Sequence, residues 1–311
     1  MYKSQHYKFI TTPLSKILED GVNASRGIGS GIETYPLCDY IMQSIFLKMT
    51  GAQEQKMKCI CWEMATNDYK YRYKYLKKNY GECSDYNSKN SVYSDIIQQI
   101  TKLNPDFSIY SIMENIEITN EEQEEIRNNY INKEINKGIK NENKRRKEKG
   151  KNILTEDEKN KMRLGMQSSL QKKMKDINIS ELYRGKRNEK LINQIVDKIF
   201  FNAGWNQKEY KDFQDNYKKV FCPSFFITSN NGLFAPNLQN HYDEIVYKHR
   251  NRCAHNLTSY QQDLPTLSTL ANPDYIYHNY FFRFAILILI DEIFICLYKK
   301  YVEALENNIN W

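Results

Sequence analysis

Proline is missing from Asp106 through Cys222, although it punctuates both ends of the chain. That long gap, rich in Glu, Lys, Asn and Gln, reads as helix. The seven cysteines, at 38, 59, 61, 83, 222, 253 and 296, include no CxxC pair, and only five histidines accompany them. Neither a disulfide framework nor a zinc site is suggested, and the simple reading is reduced thiols in a cytoplasm. No acidic cluster has metal-ligand spacing, so no metal and no cofactor is expected. The first residues, MYKSQHYKFITTPL, lack the apolar run of a signal peptide. There is no internal repeat. A membrane-spanning stretch is also missing: in Phe281 to Val302 the longest uninterrupted apolar run is Phe284 to Ile290. A spanning helix needs about 20 such residues, and Asp291 and Glu292 stand mid-segment, where charge is costly in lipid. This segment reads as a buried helix, and no membrane partner is expected.

What is present is ordinary for a globular chain: 311 residues, 41% apolar and 27% charged. The net charge of +7 is unevenly placed. Glu121 to Lys190 holds twenty Lys or Arg against thirteen Asp or Glu, which leaves 25 of each sign elsewhere out of totals of 45 and 38. The excess, densest at Lys144, Arg145, Arg146 and Lys147, suits contact with a polyanion such as RNA, or a solvated helix face. Asn132 to Asn152 has almost no apolar periodicity, and an exposed helix or a poorly ordered loop is expected there.

Near the N-terminus, Gly27, Gly29 and Gly31 follow no apolar strand, so they read as a flexible loop and not a phosphate cradle. Leu37, Ile41, Ile45 and Met49 recur at helical spacing, with Cys38, Met42 and Phe46 beside them. Gly51 is expected to break that helix, and Met57, Ile60, Cys61 and Met64 to begin a second, making a hairpin. From Tyr69 to Tyr75 aromatic and basic residues alternate, which alone suggests a strand. Tyrosines interleaved with Lys70, Arg72 and Lys74 also suit stacking on single-stranded RNA; an AT-rich codon bias would produce the same composition.

The segment richest in chemistry is Asn237 to Tyr260. Tyr242, Ile245, Val246, His249 and Cys253 fall within about 100° of arc on a helix, one core-facing stripe. His249 therefore reads as a packed core histidine. Asn251 and His255 point the other way, and Arg250 sits at the margin. Arg250 and His255 are separated by roughly 140° and 7.5 Å of rise on a regular helix. They would meet only through the arginine's reach, a bend, or a symmetric partner. Phe281 to Tyr298 is apolar around nearly its whole circumference, more than a single helical hairpin can cover, and this too favours a second copy of the chain.

The string RNRCAH, Arg250 to His255, resembles the R-N-x-x-x-H form of the R-x4–6-H motif of HEPN ribonucleases. RNRCAHN is similar in wording to the C-terminal motif of Abi-like abortive-infection proteins. In that family the motif lies on a helix of a small bundle and is followed by one more apolar helix, the place Phe281 to Val302 would take. The resemblance covers two blocks, Leu37 to about Tyr80 and the C-terminal region, and leaves Ser88 to Pro223 outside it. It implies an all-α fold in three parts: N-terminal helices of a HEPN-like bundle over 1–87, a helical, basic insertion or second domain over 88–223, and C-terminal helices carrying the motif over 224–311. It also implies a homodimeric, metal-independent endoribonuclease, with products ending in a 2′,3′-cyclic phosphate and a 5′-hydroxyl. His255 would be general acid or base, Arg250 the phosphate clamp, and Asn251 the group that orients the imidazole or binds substrate. A toxin or antiphage effector of this kind needs restraint, hence an antitoxin or regulatory partner. Two other classes compete: a non-catalytic RNA-binding sensor with a degenerate bundle, and a helical regulator whose basic middle docks an acidic protein.

Overall fold

Helix formation here is punctuated by caps. Pro36 sits in the first turn of the helix Tyr35–Asn67, where its missing N–H costs nothing. Asp68 ends that helix and accepts the backbone N–H groups of Lys70 and Tyr71 at 2.8 and 3.1 Å, starting the next one. The computed structural model describes residues 4–25, 27–29, 31–77, 82–109, 116–174, 242–255 and 280–309, with scattered positions between 183 and 240. About 83% of the described residues are helical and they include no strand, which makes the fold all-α as expected.

Two units divide the chain: Met1–Ile112 with Glu189–Trp311, and Met113–Asn188. The first contains α1 (Tyr7–Thr11), α2 (Ser15–Ala24), α3 (Tyr35–Asn67), α4 (Tyr69–Lys77) and α5 (Tyr86–Leu103). The second contains α6 (Asn120–Glu148) and α7 (Glu156–Lys173). The chain then returns to the first unit with a wide π turn (Tyr242–Tyr247) running into α8 (Lys248–His255), and with α9 (Tyr280–Ile309).

In the first unit α3 and α9 form the axis, with α1 and α5 packed on α9 and α2, α4 and α8 on α3. Every residue of α9 from Phe282 to Asp291 is buried. Among the described residues no helix is long and apolar enough to cross a membrane. The charge that interrupts α9 is accommodated inside the protein. Asp291 lies 2.6 Å from the buried Lys56 ammonium, and its other oxygen accepts the Leu14 backbone N–H at 2.7 Å. Burial nonetheless pushes the Asp291 carboxyl up to about 6, against the opposing pull of Lys56. Lys56 also donates to the Thr12 carbonyl, so one pair ties the N-terminal segment, α3 and α9 together.

Two expectations are corrected. No break occurs at Gly51: α3 runs through it as one helix. A glycine inside a helix costs only about 1 kcal/mol relative to alanine, and the buried residues Met49, Thr50, Gln53 and Met57 around it offset that by packing. The alternating segment, which the pattern alone would make a strand, is α4 and so lies within the block expected to be helical; in it Tyr71 is buried and Tyr69 and Tyr73 are exposed. The expected middle part, 88–223, also gives way. α5 carries Val92, Tyr93, Ile96 and Ile100 into the first unit's core, so the second unit begins only at Met113.

The glycine-rich stretch is a loop as expected, with Gly27 at φ +93°. Residues 132–152, expected as exposed helix or poorly ordered loop, lie largely within α6. α6 and α7 each open with a capping box, Thr119 with Glu122 and Thr155 with Glu158. Between them the chain turns through Gly150 at φ +68°. Ile131, Ile135, Ile139 and Leu154 are buried against Met162, Met166, Leu170 and Met174, a narrow seam under two highly charged helices.

Candidate active site

Wide turns of π geometry often mark functional sites, and the residues Tyr242–Tyr247 that precede α8 make one. It is anchored at both faces. Tyr242, Ile245 and Val246 are buried, and the Tyr242 hydroxyl donates to the Ser84 carbonyl at 3.0 Å. The Asp243 carboxylate accepts the Tyr86 backbone N–H at 3.3 Å. Burial pushes the Tyr242 hydroxyl well above the usual phenol range, so it stays a proton donor. The turn thereby docks on the loop that opens α5, where Cys83 holds a left-handed φ of 58°.

His249 packs as expected. Its ring lies 5.2 Å from Phe46 and 5.5 Å from Tyr280 between centroids. Its Nε2 is 3.3 Å from the Tyr280 hydroxyl and 3.4 Å from the Cys253 sulfur. A histidine so enclosed by aromatic and sulfur groups is a packing element of α8.

Arg250, expected at the margin of the helix, is turned inward. Its side chain is 23% exposed, and one guanidinium nitrogen lies 3.3 Å from Glu54 Oε2 on α3, a carboxylate only 8% exposed. The other terminal nitrogen donates to the Asn251 amide oxygen at 3.2 Å. Arg250 and Asn251 are thus brought together, and Glu54 joins them. The exposed Arg252 and Ala254 flank the outer face of α8. His255 is the last residue of α8; its side chain lies outside the described residues.

Lys89, within electrostatic reach of Glu54 and Arg250, is a residue that sequence reasoning missed, as it missed Glu54. Its side chain is almost wholly buried, and its ammonium donates to the Cys83 carbonyl at 2.7 Å. It also stands 5.8 Å from the Tyr242 ring centroid. Burial pulls the Lys89 ammonium down to about 8, against the attraction of Glu54. Both residues left a signal in the pattern. Glu54 follows Thr50 and Gln53 as polar residues between Met49 and Met57 in a core register, and Lys89 shares a register with Val92, Tyr93 and Ile96.

Chemically, an arginine fixed by a buried carboxylate is preorganised. Its remaining N–H groups can meet a phosphate without first losing rotamer freedom. The four basic residues expected to meet RNA belong to the second unit, at the C-terminal end of α6. Lys144, Arg145 and Lys147 are exposed, whereas Arg146 is committed to Glu158 through two bonds of 2.9 and 3.0 Å. Among the described residues no group of three or more His, Cys, Asp or Glu is placed to hold a metal ion. No family model, curated protein or solved structure matches the chain.

Proposed function

We propose that the chain is a metal-independent endoribonuclease of the HEPN type, acting in a reducing cytoplasm as a toxin or antiphage effector. The observation that carries this reading is the Arg250 guanidinium, held by buried Glu54 and Asn251 on the helix that ends at His255. RNA brings its own nucleophile. The 2′-hydroxyl oxygen attacks the adjacent phosphorus, the bond from phosphorus to the 5′ oxygen breaks, and a 2′,3′-cyclic phosphate and a 5′-hydroxyl remain. His255 moves a proton to or from the reacting oxygens. Arg250 stays charged and binds the phosphate oxygens as negative charge grows on them. Glu54 positions Arg250 without touching substrate.

A homodimer belongs to the proposal, because one convex helix surface does not make a phosphate-sized cleft and the chain carries one copy of the motif. The apolar circumference of α9 lends it no support, since α9 is buried within the single chain from Phe282 to Asp291. The small Cys253 and the exposed Ala254 do allow a second backbone, or RNA, to come close to α8. An antitoxin or regulatory partner would supply the restraint such an activity requires.

The test is cleavage of RNA by the purified chain in excess chelator. Wild type should cut. His255→Ala should lose at least about 10²-fold in rate while keeping its helical circular dichroism, and Arg250→Ala should lose as much both alone and combined with Glu54→Gln, which removes the carboxylate charge that Arg250→Ala strands. Unchanged cleavage by His255→Ala would remove the proposal, and so would a strict requirement for magnesium.

A further inference from the structure

α4 has the sequence YKYRYKYLK, with four basic residues and no acidic one. Its rotation is fixed from below. Tyr71 is buried and its hydroxyl donates to Asp95 of α5 at 3.3 Å. Arg72 donates to the carbonyls of Ala65 and Thr66 at 2.8 and 3.4 Å, which staples α4 to the end of α3. With that face down, Tyr69, Tyr73 and Leu76, at i, i+4 and i+7, share the outer face and are 78%, 58% and 77% exposed. The Lys77 ammonium stands 4.2 Å from the Tyr73 ring centroid. Trp62, at 61% exposed, adds an aromatic surface on α3.

Large rings left in water in such a row call for an occupant. A protein-docking face would be depleted of lysine at its centre, whereas this one sets rings beside the exposed Lys70 and Lys77, while Arg72 is held by the Ala65 and Thr66 carbonyls and Lys74 stands 3.7 Å from Asp95. Rings beside cations without a carboxylate on the same helix match the chemistry of a single nucleic-acid strand, whose bases stack and whose phosphates need positive charge. The surface is also placed to serve the candidate site. Glu54, Lys58, Trp62 and Thr66 step up α3 at i, i+4 intervals, each turned by about 40° and raised by about 6 Å. Trp62 therefore lies roughly 12 Å along the helix axis from the carboxylate that holds Arg250, a distance a few nucleotides span at about 3.4 Å each.

We infer that α4, with Trp62, is a track for single-stranded RNA, in which Tyr69, Tyr73 and Trp62 stack on bases and Lys70 and Lys77 meet phosphates. That the strand is RNA rests on reading the Arg250 site as an RNA-cleaving one; the stacking surface itself does not need the 2′-hydroxyl.

The experiment measures binding of a fluorescent oligouridylate, and of its deoxy counterpart, by anisotropy in chelator. Tyr69→Ala with Tyr73→Ala should raise Kd for both strands roughly tenfold or more, since each stack carries most of a base's affinity. The corresponding pair of phenylalanine substitutions should bind like wild type. Adding oligonucleotide should quench tryptophan emission, and Trp62→Phe should abolish the quenching although Trp205 and Trp311 remain. The three positions are exposed, so the variants should keep their helical spectrum. An alanine pair that binds like wild type would overturn the inference. So would a wild type that self-associates in light scattering and becomes monomeric in the alanine pair, with oligonucleotide affinity unchanged. Tight binding of the deoxy strand without cleavage of RNA would defeat the nuclease reading and leave the track standing. Cleavage with an unaltered Kd would do the reverse.

Discussion

In the first unit, Glu54, Lys56, Glu63, Lys89, Asp95 and Asp291 are each less than a tenth exposed, and most of them face a partner on another element. Glu63 meets His6 at 2.6 Å, Asp95 accepts from Tyr71, Lys56 holds Asp291, and Glu54 holds Arg250. In the second unit the pairs are more open to solvent: Lys137 with Glu134, Lys159 with Glu156, Arg146 with Glu142 and Glu158, and, half-buried, Lys186 with Glu122. The contrast separates two uses of charge. A buried pair adds little net stability, since desolvation consumes the Coulombic gain, but removing one partner is severe. Each such pair therefore disfavours any helix arrangement that would separate it. Surface pairs bind weakly and constrain little, so Lys144, Arg145 and Lys147 keep their charge available to a polyanion.

The contrast is broken most forcefully at Asp291. Asp291→Ala should destabilise the protein by about 3–5 kcal/mol by stranding the Lys56 ammonium, read as a lowered urea midpoint. Lys56→Met combined with Asp291→Leu should recover most of that stability. Equal destabilisation in the single and double variants would mean that packing at α9, not the uncompensated charge, sets the cost.

Lys89 gives the next effect, and it depends on pH. Its folded pKa of about 8 lies below the ordinary value of 10.5, so between those limits the unfolded chain holds a proton that the folded chain lacks. Stability from this group is therefore gained as pH rises from 8 to 10.5 and absent once pH falls below 8. Wild type should gain on Lys89→Met by about 3 kcal/mol across that window. Parallel stability curves for the two proteins would contradict the burial of a titrating ammonium.

In the second unit the effects shrink. Arg146→Gln should cost little stability, and less again in high salt, because its pair with Glu158 is open to solvent. The same bonds hold the Glu158 carboxyl down to about 2, chiefly through the Arg146 guanidinium. Replacing Lys144, Arg145 and Lys147 with glutamine should leave stability nearly unchanged. It should flatten the slope of log K against log salt for RNA by about 0.7 for each phosphate that is no longer neutralised. An unchanged slope would return the tract to a solvated face.

Periodicity makes some of this legible and hides the rest. The stripe of Tyr242, Ile245 and Val246 and the enclosed His249 follow from spacing alone, and so does α9, whose apolar run needs no tertiary information. The same spacing splits α3 at Gly51, because a local breaker signal carries no knowledge of the neighbours on both sides that keep the helix intact. It makes α4 look like a strand because rings and cations alternate along the chain, whereas the fold buries Tyr71 and leaves Tyr69 and Tyr73 outside. The capping boxes at Thr119 and Thr155 are visible in the sequence as T-x-x-E, and they mark the starts of α6 and α7 despite the low apolar content of both. Buried charge is the main blind spot. Glu54 and Lys89 occupy core registers where a hydropathy pattern registers only interruptions. Their partners, Arg250 and the Cys83 carbonyl, become neighbours only once α8 and the α5 loop are folded. The inward turn of Arg250 likewise depends on the π turn before α8, which a uniform 100° helix cannot anticipate.

On the proposed mechanism a strand is cut by its own 2′-hydroxyl at the Arg250–His255 site. The most direct measurement uses an oligoribonucleotide and a copy carrying one 2′-deoxyribose at the cleaved position, both in excess chelator. The all-ribose strand should be cut to a 2′,3′-cyclic phosphate and a 5′-hydroxyl, and the substituted strand should stay whole at that position. Cleavage of the substituted strand at the same rate would contradict the claim.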